Sequence, residues 1–523
     1  MNRLLFFLII SGLFFSCEEE EKRPNILFAI ADDATYMHFG AYGCDWVSTP
    51  AFDRVARQGL LFQNAYTPNA KCAPSRAAIL TGRNSWQLEE LGNHLAYWPK
   101  KYVSFMEVLK EHGYKTGYTA KGWAPGDPGT INGKKRELTG QAFSQIKLEP
   151  PTKQIGSVDY AANFEVFLDS AGDAPFMFWY GSVEPHRAYE FKSGNRLGKR
   201  NLDEVDDLPA FYPDNDTIRH DFLDYGYEIE YFDSHLGKMI ESLEKRDQLD
   251  NTIIIVTSDN GMPFPRIKGN AYEYANHLPL AIMWGKGIKN PGRIIEDYVS
   301  FIDYAPTILE AAGVNVATSE MQPVSGMSLL PIFNTESDQV TGLGRSHVLI
   351  GKERHDTGRP HDWGYPIRGI VKDGFIYLKN FETDRWPAGH PLTGYLNTDG
   401  SPTKTWIIEQ NRHHPIDPYW QLSFGKRVDE EFYNVKEDPS CVNNLINDQR
   451  QAELIGTLRN QLMTELAEQG DPRMSGNGSV FDDYPLTGGQ NFFEKFIEGD
   501  SGKTGWVNKS DFETREFYQQ LVQ

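Results

Sequence analysis

Cysteine is scarce in this chain, with four residues in 523. That is too few for a disulfide scaffold, so the fold must rest on a buried apolar core. Basic residues are in deficit too: 52 Lys and Arg stand against 72 Asp and Glu, giving a net charge of −20 and a pI near 5.1. Such a surface repels polyanions and excludes general nucleic-acid binding, although a small anion needs only a local cluster of cations. Beyond residue 17 no apolar run reaches the roughly 20 residues that a membrane-spanning helix requires. No internal repeat is visible. What is present is ordinary globular composition, 40% hydrophobic and 13% aromatic, in a chain with room for about two to four structural units.

Residues 1–17 read as an export signal. Arg3 supplies the positive start, Leu4 to Phe15 is almost wholly apolar, and Ser16-Cys17 ends it. This end is similar to a bacterial lipoprotein cleavage site, with Glu18 to Glu21 as a charged tether; an ordinary secretory signal with a chance cysteine is the alternative. The expected location is therefore outside the cytoplasm, as an outer-membrane or periplasmic lipoprotein touching a membrane only through a lipid at Cys17. Cys44 and Cys441 are expected to be unpaired, buried thiols.

Pro24 opens the folded part. The run Asn25 to Ile30 has strand length and strand composition, and comparable runs recur at Lys115 to Thr119, Phe176 to Tyr180, Thr252 to Ser258 and Leu280 to Trp284. Helical patterns lie between several of them. Ala51 to Gly59 and Val103 to His112 each stop at or just before a glycine, and His220 to Gln248 carries Phe222, Tyr225, Ile229, Phe232, Leu236 and Ile240 on one stripe. Buried strands separated by helices predict an α/β fold with a mainly parallel sheet covered on both faces. From about Gly342 the chain turns polar and rich in His and Gly, with short strand-like runs such as Gly374 to Asn380 and a helix from about Gln449 to Ala467. The expected division is a catalytic unit over 24–345, a smaller α+β unit with an antiparallel sheet over 346–470, and a tail over 471–523 without clear period.

Two pairs of oxygen-bearing residues stand at strand ends. Asp32-Asp33 follows the first run, and Asp259-Asn260 follows Thr252 to Ser258. The carboxyl edge of an open α/β sheet is where ligands bind, and four oxygen donors there suit a hard cation, calcium or magnesium, rather than zinc. Either pair alone would be read as a cap or turn. Between them lies Lys71-Cys-Ala-Pro-Ser-Arg76, running on to Leu80-Thr81-Gly82. Pro74 fits a first helical turn, so Cys72 falls at a helix N-terminus, where an anion is favoured and a thiol is expected to be acidic and reactive.

Cys72-x-Pro74-Ser75-Arg76 followed by Leu80-Thr81-Gly82 resembles the signature of the type I sulfatases. The resemblance implies an alkaline-phosphatase-like sandwich and conversion of Cys72 to formylglycine by a maturation enzyme that reads this motif. It puts Asp32, Asp33, Asp259 and Asn260 on the calcium ligands, with residue 72 as a further contact, and Arg76, Lys121, His186 and Lys268 on active-site positions. Glu431-Phe-Tyr-Asn-Val435 with Asp438-Pro439 looks like the family's C-terminal signature. Ser258 to Pro265, and Pro185-His186-Arg187, are closer still to the heparan N-sulfatase branch. One departure stands out: that branch has a histidine two residues after its active-site lysine, and here the residue is Trp123.

The reaction so implied is hydrolysis of a sulfate ester or sulfamate on a carbohydrate. A hydrated aldehyde at residue 72 offers one hydroxyl to attack sulfur and a second to expel sulfate. Calcium, Arg76, Lys121 and Lys268 neutralise the substrate's charge, with Asp33 or a neighbouring carboxylate as base and His186 serving the leaving group. Arg187, His355, His94, His277 and His361 are candidate contacts to the sugar. Two other readings remain at this point, a phosphodiesterase or phosphonate hydrolase of the same superfamily, and a surface lipoprotein that binds polysaccharide without turnover.

Overall fold

Residues 22–206, 208–336, 344–414, 417–500 and 506–522 are described by the computed structural model. The signal, Cys17 and the Glu18 to Glu21 tether lie outside them. Eight strands form the main sheet: β1 (Asn25–Ala31), β2 (Leu60–Tyr66), β3 (Lys115–Ala120), β4 (Gln141–Ala142), β5 (Phe176–Gly181), β6 (Thr252–Ser258), β7 (Leu280–Met283) and β8 (Arg293–Ser300). Their spatial order is β8-β2-β7-β6-β1-β5-β3-β4.

Both faces of β1 are buried, which is why its sequence is a continuous apolar run. Leu27 and Ala29 pack on one side with α5 (Asp216–Lys245), the long amphipathic helix, and with α1 (Pro50–Gln58) and α4 (Tyr160–Ala171). Ile26, Phe28 and Ile30 pack on the other, with α2 (Cys72–Thr81), α3 (Phe105–Glu111) and α6 (Tyr304–Ala311). The period of two in β1 thus serves two cores at once, the α/β sandwich expected from the sequence.

The sheet is largely parallel but mixed. β1 runs parallel to β5 and β6, β3 to β4 and β5, and β2 to β8. β7 runs antiparallel to both β6 and β2. A smaller sheet follows, an antiparallel meander of β9 (His347–Lys352), β10 (Ile367–Lys372), β11 (Phe375–Asn380) and β12 (Glu430–Asn434). The helix α7 (Ala452–Glu468) covers it through Ile455, Leu458 and Leu462. The tail packs rather than trails: Phe481 is fully buried, and buried Asp511 faces the Lys404 ammonium at 3.6 Å. Among the described residues no helix is long and apolar enough to cross a membrane. Cys441 is buried, Cys44 half-buried, and no disulfide joins them.

Candidate active site

The register of β1 on β6 pairs Ala31 with Ser258, so the residues that follow each strand leave the sheet side by side. This brings Asp32, Asp33, Asp259 and Asn260 together, all fully buried. Asp33 has φ +76°, a left-handed conformation that Asp tolerates, and its amide donates to Asp259 Oδ1 at 3.1 Å. The Asn260 amide donates to Asp33 Oδ1 at 2.7 Å. One donor atom from each of Asp32, Asp33, Cys72 and Asp259 lies within 4.8 Å of the others.

Cys72 reaches this point as the first residue of α2. Gly82, left-handed at φ +64°, closes that helix by donating to the Ala78 carbonyl, so Leu80-Thr81-Gly82 is an ordinary glycine-capped helix end. Cys72 Sγ lies 3.5 Å from Asp32 Oδ1 and 3.8 Å from Asp33 Oδ1. Its acidity is opposite to the expectation from its helix position. Burial pushes the thiol up to about 12, outweighing Lys121 and Lys268, and the helix N-terminus does not reverse this.

Cations ring the carboxylates. Arg76 Nε donates to Asp259 Oδ2 at 2.7 Å, and its Nη1 to the Lys121 and Gly122 carbonyls. Lys121, just past β3, reaches Asp32 Oδ2 at 2.5 Å. A methyl group on Gly181 would stand 1.8 Å from the Lys121 carbonyl, so only glycine lets the end of β5 approach so closely. Lys268 bridges Asp33 Oδ2 at 2.6 Å and Asp399 Oδ2 at 3.0 Å. Burial works to lower the Lys268 ammonium, yet Asp33 and Asp399 hold it well above its usual value. His186, on the loop after β5, donates from Nδ1 to the Arg187 carbonyl at 2.6 Å, since only an N–H can bond that oxygen. Its Nε2 is thereby turned to within 3.9 Å of Asp33.

The fit to a hard cation rests on one further atom. Asn260 Oδ1 is buried and has no hydrogen-bond partner. A buried amide oxygen left idle beside three carboxylates is the donor set of calcium, all oxygen and partly neutral. Three carboxylates, Asp32, Asp33 and Asp259, meet three cations, Arg76, Lys121 and Lys268, so the floor is close to neutral; a divalent ion makes it a trap for an anion.

Above the floor opens a cavity of about 430 Å³, lined by Cys72, Lys121, His186 and Lys268 and roofed by His355, Asp356, Asp399 and Trp506 from the C-terminal half. His94 Nε2 and His355 Nδ1 are buried there without partners. Burial, reinforced by nearby lysines, lowers both rings well below the usual histidine value, so each is neutral. Asp399 and Lys71, both on this lining, were not among the residues singled out from the sequence. Asp399 sits in an Asn-Thr-Asp-Gly turn, which reads only as turn chemistry.

Three candidate sugar contacts lie elsewhere. His277 is sandwiched between Tyr36 and Tyr66 and bonded to Glu273. His361 is exposed beside Glu494. Arg187 faces away from the cavity over Cys72, because its guanidinium is held by Asp221 in a bidentate pair at 2.7 and 2.8 Å, by the Pro263 carbonyl, and against Phe264. Arg187→Ala leaves Asp221 buried without its cation, bonded only to Thr403. Stability should fall by about 3–5 kcal/mol, read by chemical denaturation; a loss under about 1 kcal/mol would reject a structural role for this pair. Trp123 also lies outside the cavity, donating from Nε1 to the Ala73 carbonyl at 3.0 Å and packing edge-on to Trp98. Tryptophan at this position braces the first turn of α2 instead of offering a ring nitrogen to a ligand.

A family model described as sulfatase matches residues 24–314, more than half of the chain. The chain belongs to the sulfatase family. This sulfatase is a sulfuric ester hydrolase of the formylglycine-dependent type. It is 27% identical over 490 residues to human N-sulphoglucosamine sulphohydrolase, covering 86% of this chain and 91% of that one. It is 25% identical over 519 residues to an ulvan-active sulfatase of Formosa agariphila, covering 90% and 82%. A structure solved in complex with its substrate, D-glucosamine-2-N,6-O-disulfate, shares the fold with a TM-score of 0.62 at 20% identity, over 86% of this chain and 99% of that one.

Proposed function

We propose that this sulfatase removes sulfate, as an O-sulfate ester or an N-sulfate, from a sulfated carbohydrate. The observation that carries this reading is the cavity floor, where Cys72 lies within 4 Å of two buried carboxylates that are themselves bonded to Lys121 and Lys268. The relatives support the substrate class, and the Ser258 to Pro265 and Pro185-His186-Arg187 segments favour the N-sulfatase branch within it. Trp123 in place of that branch's histidine leaves the choice between N- and O-sulfate to experiment.

Asp32, Asp33, Asp259 and Asn260 would hold calcium, which supplies charge neutralisation at the sulfate oxygens. Residue 72, oxidised by a maturation enzyme and hydrated, supplies one hydroxyl to attack sulfur and a second whose deprotonation releases sulfate by C–O cleavage. Arg76, Lys121 and Lys268 fix the sulfate before any reorganisation is needed. His186 Nε2 delivers a proton to the leaving oxygen or nitrogen, its other nitrogen being tied to the backbone. His94 and His355 bond sugar hydroxyls through neutral rings. Leu95, Val183 and Leu396 supply the apolar part of the lining.

A screen of sulfate release from defined mono- and disaccharides, N-sulfated and O-sulfated, tests this directly; no release from any of them rejects the proposal. His186→Ala should lower kcat/KM on sugar sulfates by about 100- to 1000-fold but on an activated aryl sulfate by less than about tenfold. Equal losses on both substrates would remove His186 from the proton-transfer role.

A further inference from the structure

Asp356 lines the catalytic cavity, and three residues on Arg359 lines a second one, of about 230 Å³. The two residues are an ion pair, Arg359 Nη1 to Asp356 Oδ2 at 3.1 Å, so one salt bridge forms part of both walls. Arg359 is fully buried and pinned by the Trp386 and Pro387 carbonyls, which makes this wall rigid.

The lining itself holds more cations than carboxylates. Arg359, Arg385 and Lys426 line it with one carboxylate, Asp384; Arg359 is paired with Asp356 and Arg385 with Asp482 at 2.9 Å, so Lys426 carries the uncompensated charge. Lys426 is exposed and makes no ion pair among the described residues; its ammonium hangs 5.6 Å from the centre of the Trp386 ring. Trp363 has the Arg385 guanidinium over its ring at 4.7 Å, yet the residue is 41% exposed. Only two tryptophans are so exposed among the described residues: Trp506 at the mouth of the catalytic cavity and Trp363 at this one. An exposed aromatic ring beside one unpaired ammonium matches one ligand chemistry, a pyranose with an apolar C–H face and an anionic substituent at its rim.

We propose that this cavity is a second binding site for an anionic saccharide, taking a sulfated sugar unit of an oligomeric or polymeric substrate. Trp363 stacks on the ring, Lys426 receives the sulfate, and Asp384 accepts hydrogen bonds from sugar hydroxyls. The proposal rests on the sulfated-carbohydrate reading above and extends it from a single sugar to a chain.

Binding of a heparin-derived tetrasaccharide and of its desulfated counterpart should be titrated into the full chain and into Trp363→Ala and Lys426→Ala. Both side chains are exposed and neither is in the catalytic cavity. Each substitution should raise the Kd for the sulfated probe about tenfold while leaving turnover of a small aryl sulfate unchanged. The desulfated probe should bind wild type at least about tenfold more weakly. A Kd within twofold of wild type in either variant, or no binding of the sulfated probe, overturns the site. A protein that loses affinity in both variants yet releases sulfate from no sugar retains this site and rejects the catalytic reading.

Discussion

Alanine in place of Cys72 will abolish sulfate release, by a factor on the order of a hundred thousand in kcat, the scale reached when a covalent nucleophile is removed. The geometry makes the test unusually clean. The side chain is small, sits at the first residue of α2, and makes only long contacts to Asp32 and Asp33. Its loss leaves no buried hydrogen-bonding group unsatisfied, so the variant should fold. As a thiol the residue is a poor nucleophile, because burial holds it in its protonated form at neutral pH. Activity should therefore track oxidation of the side chain, which mass spectrometry of the peptide spanning residue 72 reads directly. Full turnover by Cys72→Ala, or turnover by wild type carrying only unmodified cysteine, would refute the assignment.

Chelation should be nearly as costly. Without a divalent ion the floor is three carboxylates against three cations, with no surplus to attract a sulfate. Asp33 touches the most partners, accepting from Asn260 and Lys268 and lying within reach of Cys72. Asp33→Asn should lower kcat/KM about a thousandfold, equivalent to about 4 kcal/mol. A calcium chelator should remove activity and lower the melting temperature. If calcium is present at about a thousand times its Kd, linkage gives about 4 kcal/mol, which for an unfolding entropy scaled to this chain length corresponds to about 4 °C. Calcium should restore both properties and magnesium should not, because a smaller ion holds its waters in preference to amide and carboxylate oxygens. A chelated protein with unchanged activity and melting temperature would reject the metal.

Much of this site is legible in the sequence. Asp32-Asp33 and Asp259-Asn260 can be read as partners because each follows a strand with an apolar centre, and parallel neighbours release their next residues at the same edge. The helix after Cys72 was legible from Pro74 and Gly82. The sheet was less so. β7 is as apolar as its neighbours, and its antiparallel direction depends on pairing that no local pattern records. β2 and β8 carry polar residues such as Asn64, Glu296 and Asp297, which break the continuous run by which the central strands were recognised. The thiol's acidity was misjudged because helix position is local while burial is set by distant chain. Asp399 and Trp506 were invisible for the same reason, arriving from more than 300 residues beyond Cys72. Arg187 shows the limit most sharply: it follows His186 directly, yet the two side chains enter different environments.

β1 enters the sheet at Asn25, three residues after the described chain begins at Lys22, and leaves it at the metal-facing aspartates. Seven residues of strand span about 23 Å. An attachment made at Lys22 would therefore sit at the opposite end of β1 from the aspartates, on the far side of the sheet from the catalytic mouth.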